Sequence, residues 1–405
     1  MKKSNTMEVK PKIETFARIK VMGIGGSGTN TVNRMTELGI RGVELIAVNT
    51  DAQALHNNQA DRKVHIGKGI TKGLGSGMNP ELGRQAAEES VEELEEVIEN
   101  ADMIFITCGL GGGTGSGASP VVAELAKNKG ILTVAVVTKP FTFEGSKRKE
   151  VAENAYDNLK DKVDAIISIH NDRILQIIDK KTSLIDAFKT VDDVLRQGIS
   201  GISDLITTHG IVNADFADVR SIMQDAGTAL MGIGRAAGDN RAQEAAKAAI
   251  SSPLLELAID GAKGVLFNIT GGPSLGMFEI DEAAKVITRS IDNDAKVKFG
   301  AVIDESMGDD VRITVIATGF DEANKRPTPM MMNEPEPKRS FAEPKIFQPA
   351  SPPMEVRKPL FNPAPSQPVQ PAPKPTPPPQ ENNNNNNDNP DDELDIPAFI
   401  RKKMK

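Results

Sequence analysis

Cysteine and large aromatic residues are scarce in this sequence: its 405 residues include one Cys, no Trp and one Tyr. A single cysteine excludes a framework of disulfides within the chain. The lack of Trp and a formal net charge of -8 argue against a general nucleic-acid-binding protein, which needs a basic surface and stacking side chains. The four histidines show no metal-ligand spacing, so no protein metal site is predicted.

Long hydrophobic runs are also missing. No uninterrupted apolar run approaches the roughly 20 residues that cross a bilayer. The first residues, MKKSNTMEVKPKIETF, contain no apolar core of the kind that a signal peptide requires, and residues 1–17 are expected to form a flexible segment. We therefore expect a cytoplasmic protein that has no direct membrane span and no nucleic-acid partner.

Proline is rare in most of the chain and abundant at its end: six of the 26 prolines lie in residues 1–321 and twenty in 322–405. The C-terminal part also contains the run NNNNNN at 382–387. Such a composition cannot bury enough apolar surface to offset the entropy lost on ordering. We therefore predict a disordered linker at 321–390 that ends in a partner-docking peptide at 391–405.

The first half of the chain alternates between strand-like and helix-like segments. The strand-like segments are almost wholly apolar and lack the alternation of a half-exposed strand: RIKVMGI, VELIAVNT, DMIFITC, ILTVAVVT and DAIISIH. Strands with helices on both faces of a parallel sheet have this composition. Together with helix-like segments such as residues 80–101, they predict a doubly wound α/β fold.

A single long helix is predicted over residues 183–207, where apolar residues recur at helical spacing for about seven turns. Gly198 and Gly201 are costly inside a helix, so we expect close packing against a neighbouring element there. Strands predominate after this helix, which indicates a smaller α/β domain with a mixed sheet. The folded part is thus predicted as a first domain at 18–182, the central helix, and a second domain at 208–320.

Two glycine-rich loops each follow a strand and precede a helix: GIGGSGTN at 23–30 and GGGTGSG at 111–117. The first fits G-x-G-x-x-G, so an NAD(P)-dependent Rossmann oxidoreductase is one interpretation and a tight turn is another. A dehydrogenase needs only one loop to bind its pyrophosphate, whereas two such loops suit a ligand with a longer phosphate chain, such as a triphosphate. Both offer backbone N–H groups at a helix N-terminus, and neither contains the GK[ST] of a Walker loop.

Several motifs carry a resemblance to a known family. GGGTGSG, PFTFEGSKR at 140–148 and NADFADV at 213–219 closely resemble the FtsZ family of bacterial cell-division GTPases, in the tubulin superfamily. The resemblance runs from about Arg18 to Phe320, and LDIPAFIR at 394–401 is similar to that family's C-terminal peptide. It implies a cytoplasmic GTPase of the mid-cell division ring that uses GTP, GDP and Mg²⁺ and polymerises head to tail. The implied partners of residues 391–405 are membrane-tethering adaptors such as FtsA or ZipA, beside other division-ring proteins.

The resemblance also implies the nucleotide contacts. Those in the two glycine loops are Gly25, Gly26, Ser27, Gly28, Thr29, Asn30, Gly112, Gly113, Thr114 and Gly115. Glu144 and Arg148 are implied as ribose and phosphate contacts, although their spacing alone describes a surface ion pair.

The resemblance assigns base choice to Asn171 and Asp192, and it favours Asp192 over the adjacent Asp193. An ionised carboxylate only accepts hydrogen bonds, so it matches the N1–H and N2–H groups of guanine. Phe188 is predicted either to stack on the base or to be an ordinary core residue.

The implied catalytic residues are Asn213, Asp215 and Asp218. By spacing alone, Asp215 is equally an N-cap and Asp218 a first-turn acid. The resemblance implies that the loop after the long helix reaches the γ-phosphate of the next subunit, so that each active site is completed on assembly. A noncatalytic scaffold that binds nucleotide for stability remains a third interpretation, and the two aspartates are the features that discriminate.

Overall fold

The computed structural model of this protein describes residues 17–40, 42–179, 181–208, 210, 212, 214–255, 259 and 261–320. The predicted linker and docking peptide, residues 1–16 and Asn213 lie outside the described residues. All described residues belong to one compact unit.

Ten strands form one sheet within this part of the chain. They are β1 (Ile19–Ile24), β2 (Val43–Asn49), β3 (Arg62–His65), β4 (Met103–Gly109), β5 (Leu132–Lys139), β6 (Ala165–His170), β7 (Gly227–Ala236), β8 (Gly264–Gly271), β9 (Lys296–Ile303) and β10 (Val311–Thr318). Across the sheet they follow the order β3-β2-β1-β4-β5-β6-β7-β10-β8-β9.

The helices cover this sheet. They are α1 (Gly25–Glu37), α2 (Ala52–His56), α3 (Lys68–Thr71), α4 (Pro80–Glu89), α5 (Val91–Ile98), α6 (Gly113–Asn128), α7 (Ser146–Lys160), α8 (Asn171–Ile174), α9 (Leu184–Thr207), α10 (Phe216–Met223), α11 (Arg241–Ile250) and α12 (Met277–Thr288). No helix in these ranges has both the length and the apolar character to span a bilayer.

The segment 80–101 is two helices rather than one. The break is at Ser90, whose backbone (φ -111°, ψ 26°) leaves the helical conformation. Its buried hydroxyl accepts a hydrogen bond from the N–H of Gly67, at 3.2 Å. Periodicity could not indicate this break, because the apolar spacing continues through it.

The parallel part of the sheet has the strand order β3-β2-β1-β4-β5-β6, and its switch point lies between β1 and β4. Side chains of β1 enter two different cores: Ile19 and Val21 pack with α1 and α9, whereas Met22 and Ile24 pack with α4 to α7. Strands β1, β4 and β5 are buried on both faces along nearly their whole length, which explains why their sequences show no alternation. The predicted doubly wound fold is confirmed.

The second part of the sheet is mixed, as predicted. Strand β7 pairs in parallel with β6 and antiparallel with β10, so it joins the two parts. Although β9 and β10 are consecutive in sequence, β8 lies between them. The predicted domain boundaries stay a prediction, because the sheet runs through both parts without interruption.

Helix α9 begins directly after Ser183, whose side chain caps it, and packs against both parts of the sheet. The close packing predicted at its glycines is confirmed. A Cβ at Gly198 would lie 2.6 Å from Met231 Sδ, and one at Gly201 would lie 2.8 Å from Thr314 Cγ2. Bare backbone at these two positions lets α9 approach β7 and β10.

Candidate functional site

The two glycine loops lie side by side at the switch point, because β1 and β4 are hydrogen-bonded neighbours. Helix α1 starts at Gly25, immediately after β1, and α6 starts at Gly113 with Gly112 as its N-cap. The first N–H groups of a helix have no acceptor within the helix, and the helix dipole attracts an anion to them. Two helix N-termini thus converge where ligands bind in doubly wound folds.

The glycines permit this convergence because the loops touch through their backbones. Gly25 has φ +74°, and a Cβ there would lie 2.8 Å from Gly115 N. A Cβ at Gly28 would lie 2.3 Å from the carbonyl oxygen of Thr107, in β4. In contrast, Gly26 faces open space. A side chain at the crowded positions would separate the two helix N-termini.

The hydroxyl of Thr114 holds three loops together. It lies 2.7 Å from Thr50 Oγ1, after β2, and 2.8 Å from Ser76 Oγ, before α4. All three side chains are buried. Thr114 is therefore better placed to offer an anion its backbone N–H than its hydroxyl. No sequence pattern pointed to Thr50 or Ser76, because both lie outside the glycine loops along the chain.

A cavity of about 300 Å³ lies beside the loops. It brings together seven of the predicted residues, namely Ser27, Asn30, Glu144, Arg148, Asn171, Phe188 and Asp192. Gly25, Gly26, Gly28, Thr29 and Gly112 to Gly115 do not line it and lie in the adjoining loops and helix N-termini. Residues from α1, α7, α8 and α9 thus converge at the carboxyl ends of β4 and β5.

Asp192 is a half-buried carboxylate on the cavity wall. Thr31, on α1, donates a hydrogen bond of 2.8 Å to its Oδ1. Burial raises the pKa of Asp192 to about 6, and the Thr31 bond and the charge of Arg34 oppose this rise. The sequence analysis did not identify Thr31, because it lies one residue beyond the first loop and 161 positions from Asp192. Asp193 instead accepts hydrogen bonds from Arg196 and Gln197 on its own helix.

Asn171 and Phe188 line the cavity with groups that the protein itself leaves uncovered: an amide oxygen without a hydrogen-bond partner in the described residues and an exposed aromatic ring. Asn171 is 6% exposed, and its Oδ1 has no hydrogen-bond partner among the described residues. A buried acceptor without a partner costs about 1–3 kcal/mol, which a ligand donor could relieve. Phe188 is 42% exposed and meets Phe141 edge to face at 5.7 Å, so it is not the core residue of the alternative prediction.

Glu144 and Arg148 form the ion pair expected from their spacing, with Oε2 and Nη1 2.7 Å apart. The other carboxylate oxygen accepts a hydrogen bond of 2.9 Å from the N–H of Phe141. Arg148 Nε is buried without a hydrogen-bond partner in the described structure. Glu144 thus holds the guanidinium at the cavity wall, and its Nε–H remains available to donate a hydrogen bond.

Asp215 and Asp218 lie away from this cavity. Asp215 is the N-cap of α10, and its Oδ1 accepts a hydrogen bond of 2.7 Å from the Asp218 N–H. Asp192 and Thr207 are separated by fifteen positions on α9, or about 22 Å at 1.5 Å per residue. The two aspartates follow the far end of that helix. In the described ranges, no group of three or more acidic, His or Cys side chains could hold a metal ion.

Two family sequence models match the chain. The model described as Tubulin/FtsZ family, GTPase domain, matches residues 18–179, and the one described as FtsZ family, C-terminal domain, matches residues 227–321.

Solved structures are similar over most of the folded part. An empty FtsZ dimer from M. jannaschii is 44% identical with a TM-score of 0.74, and the match covers 76% of this chain and 90% of that one. CetZ2 from Haloferax volcanii, as a GTPγS-bound protofilament, is 21% identical with a TM-score of 0.62 over 74% of this chain and 92% of that one. At this lower identity, the similarity to CetZ2 is evidence for a shared fold only.

We expect Gly28→Ala to lower the free energy of unfolding by about 1–3 kcal/mol, because its Cβ would meet the Thr107 carbonyl oxygen, which β4 holds in place. Gly26→Ala is the matched control: its Cβ meets open space and should change stability little or raise it slightly. Urea denaturation of both variants measures the difference. Equal stabilities would contradict the proposed backbone contact.

Proposed function

This chain belongs to the tubulin/FtsZ family of GTPases, and we propose that it binds GTP at the switch point, polymerises head to tail, and hydrolyses GTP at sites shared between subunits. The observation that carries the proposal is the cavity where Asp192, Asn171 and Arg148 converge beside two helix N-termini. The alternative of an NAD(P)-dependent oxidoreductase loses its support, since the family is one of GTPases.

Phosphate binding is assigned to the backbone of the two loops. The N–H groups at the starts of α1 and α6, from Gly25 to Asn30 and from Gly112 to Gly115, would surround the phosphates. Two oriented dipoles and several N–H donors replace much of what a Walker lysine supplies. Mg²⁺ would be held mainly by phosphate oxygens and water, as is usual for this ion, and would neutralise phosphate charge.

Base recognition is assigned to the cavity wall. The Asp192 carboxylate would accept from guanine N1–H and N2–H, the free Asn171 Oδ1 would accept a further donor, and the exposed ring of Phe188 would stack on the base. Thr31 would keep Asp192 oriented and favour its ionised form. Glu144 and Arg148 would contact the ribose and the phosphates.

Hydrolysis is assigned to a neighbouring subunit's Asp215 and Asp218, together with Asn213, as the resemblance implies. The length of α9 supports this, because it separates Asp192 from the two aspartates by more than either side chain can reach. A contact between two different surfaces builds an open filament when its rotation does not close. The carboxylates would polarise the attacking water, and the oriented N–H donors would stabilise the phosphate charge.

A role in the bacterial division ring at mid-cell is the cellular part of the proposal. It rests on the family and on the C-terminal peptide at 391–405, through which FtsA, ZipA or other division-ring proteins would bind. The similar FtsZ dimer comes from M. jannaschii, so the bacterial assignment stays a prediction of the sequence motifs.

Adding GTP should make light scattering and phosphate release rise together above a threshold protein concentration, whereas ATP and NADH should produce neither. Asp215→Ala should retain GDP affinity and lose hydrolysis. Because this variant also removes an N-cap, worth about 1 kcal/mol, Asp215→Asn is the sharper test: asparagine caps equally well but lacks the charge. Full activity in Asp215→Asn would contradict the role of the Asp215 charge, and equal turnover in dilute monomer and polymer would exclude the shared site.

GDP affinity should depend on pH through Asp192. A protonated carboxyl cannot accept from both guanine N–H groups, so binding favours the ionised form. The pKa of Asp192 in the protein without nucleotide is about 6. The affinity for GDP should therefore be constant above about pH 7 and fall as the pH drops through 6. The limiting slope is about tenfold per pH unit. Calorimetric titration between about pH 5 and 8 measures it.

Asp192→Asn should abolish this pH dependence and admit xanthosine diphosphate, because the asparagine amide can donate to the C2 carbonyl of xanthine. Asp193→Asn is the matched control, since Asp193 is bonded to Arg196 and Gln197 instead. A change of base preference in the Asp193 variant alone would show that the wrong aspartate had been assigned.

A further inference from the structure

The edge strand β9 contacts the described residue Val212, which lies between α9 and α10 in the sequence. The N–H of Ala301, in β9, donates a hydrogen bond of 2.9 Å to the carbonyl oxygen of Val212. The adjacent Gly300 has no side chain, and a Cβ there would lie 2.2 Å from Leu205 Cδ2 and 3.2 Å from Val212 O. Leu205, near the end of α9, and the Val212 carbonyl therefore lie directly against the β9 backbone.

The same strand also contacts the start of α10 through a side chain. Lys298 Nζ lies 2.7 Å from Asp218 Oδ1, and Asp218 donates its N–H to Asp215 Oδ1 at 2.7 Å. The hydrogen bond to Asp218 and the charges of both aspartates raise the pKa of Lys298. One cation thus connects β9 to the pair of carboxylates.

Surface exposure argues against a mainly stabilising purpose for this ion pair. The Lys298 and Asp218 side chains are 45% and 30% exposed, and pairs in such positions add little to stability. Their position has an electrostatic consequence instead. Two uncompensated carboxylates would repel an approaching triphosphate, and Lys298 neutralises one of the two charges.

We propose that Lys298 is a positioning residue of the shared GTPase site, which holds the Asp218 carboxylate toward the next subunit's nucleotide and offsets its charge. The inference rests on the proposed function, because it assigns Lys298 a task only if Asp218 acts on a neighbouring subunit. Lys298 acts through Asp218 and takes no proton from the reacting water.

The test measures GTP turnover of the full chain per sedimented subunit, together with KM, critical concentration and urea denaturation. Above the critical concentration, Lys298→Met should lower kcat about tenfold, while KM for GTP and the free energy of unfolding stay unchanged. The critical concentration itself should rise, because the Asp218 charge is no longer neutralised when the next subunit's triphosphate approaches. Lys298→Arg should restore most of the turnover, because it keeps the ion pair. Lys296→Met is the matched control, since Lys296 lies on the same strand two residues away and is also exposed.

Three outcomes would overturn the inference: wild-type kcat in Lys298→Met, an equal loss of kcat in Lys296→Met, or a loss of kcat that follows a loss of unfolding free energy. These outcomes are separable from failure of the proposed function. If the wild-type chain shows no assembly-linked GTP hydrolysis, the proposed function fails. If it does show such hydrolysis and the rate is insensitive to Lys298, this inference alone fails.

Discussion

The backbone contact between the two glycine loops is the constraint on which the rest of the site depends. Gly25 meets Gly115, and Gly28 meets the end of β4, at distances that leave no room for a Cβ. Only this approach places the starts of α1 and α6 close enough to act on one anion. Thr114 then links the second loop, through Thr50 and Ser76, to the segments after β2 and before α4, which holds the proposed anion site in place.

Helix α9 is the second constraint, because this one rigid element separates the cavity that contains Asp192 from the segment that leads to Asp215 and Asp218. Asp192 faces the cavity from its first half, and the loop before α10 follows its far end. Gly198 and Gly201 keep the helix pressed against β7 and β10 between these points. If hydrolysis uses the neighbour's aspartates, as we propose, this helix links filament contact to nucleotide binding. In each subunit the nucleotide cavity lies near the first half of α9, and the aspartates that act on the next subunit follow its far end.

Structural and functional explanations of the same residues turn out to be compatible. Asp215 is an N-cap, and Glu144 with Arg148 is an ion pair, as their spacing alone predicted. These bonds orient side chains before a ligand arrives, which lowers the entropy that binding must remove. The half-buried Asp192 shows the opposing cost: burial favours its neutral form, and the Thr31 hydroxyl favours the charged form that the proposed guanine recognition needs.

The sequence by itself determined the doubly wound fold, the long helix and the position of both glycine loops, because periodicity and glycine content are local properties that neighbouring residues display. It also indicated Asp192, Asn171 and Arg148, although only through resemblance to a family. The tertiary structure alone decided the break at Ser90, the Thr31 bond to Asp192 and the Lys298 bond to Asp218. Each of these depends on a partner far along the chain, and no local pattern encodes which distant residues the sheet order brings together.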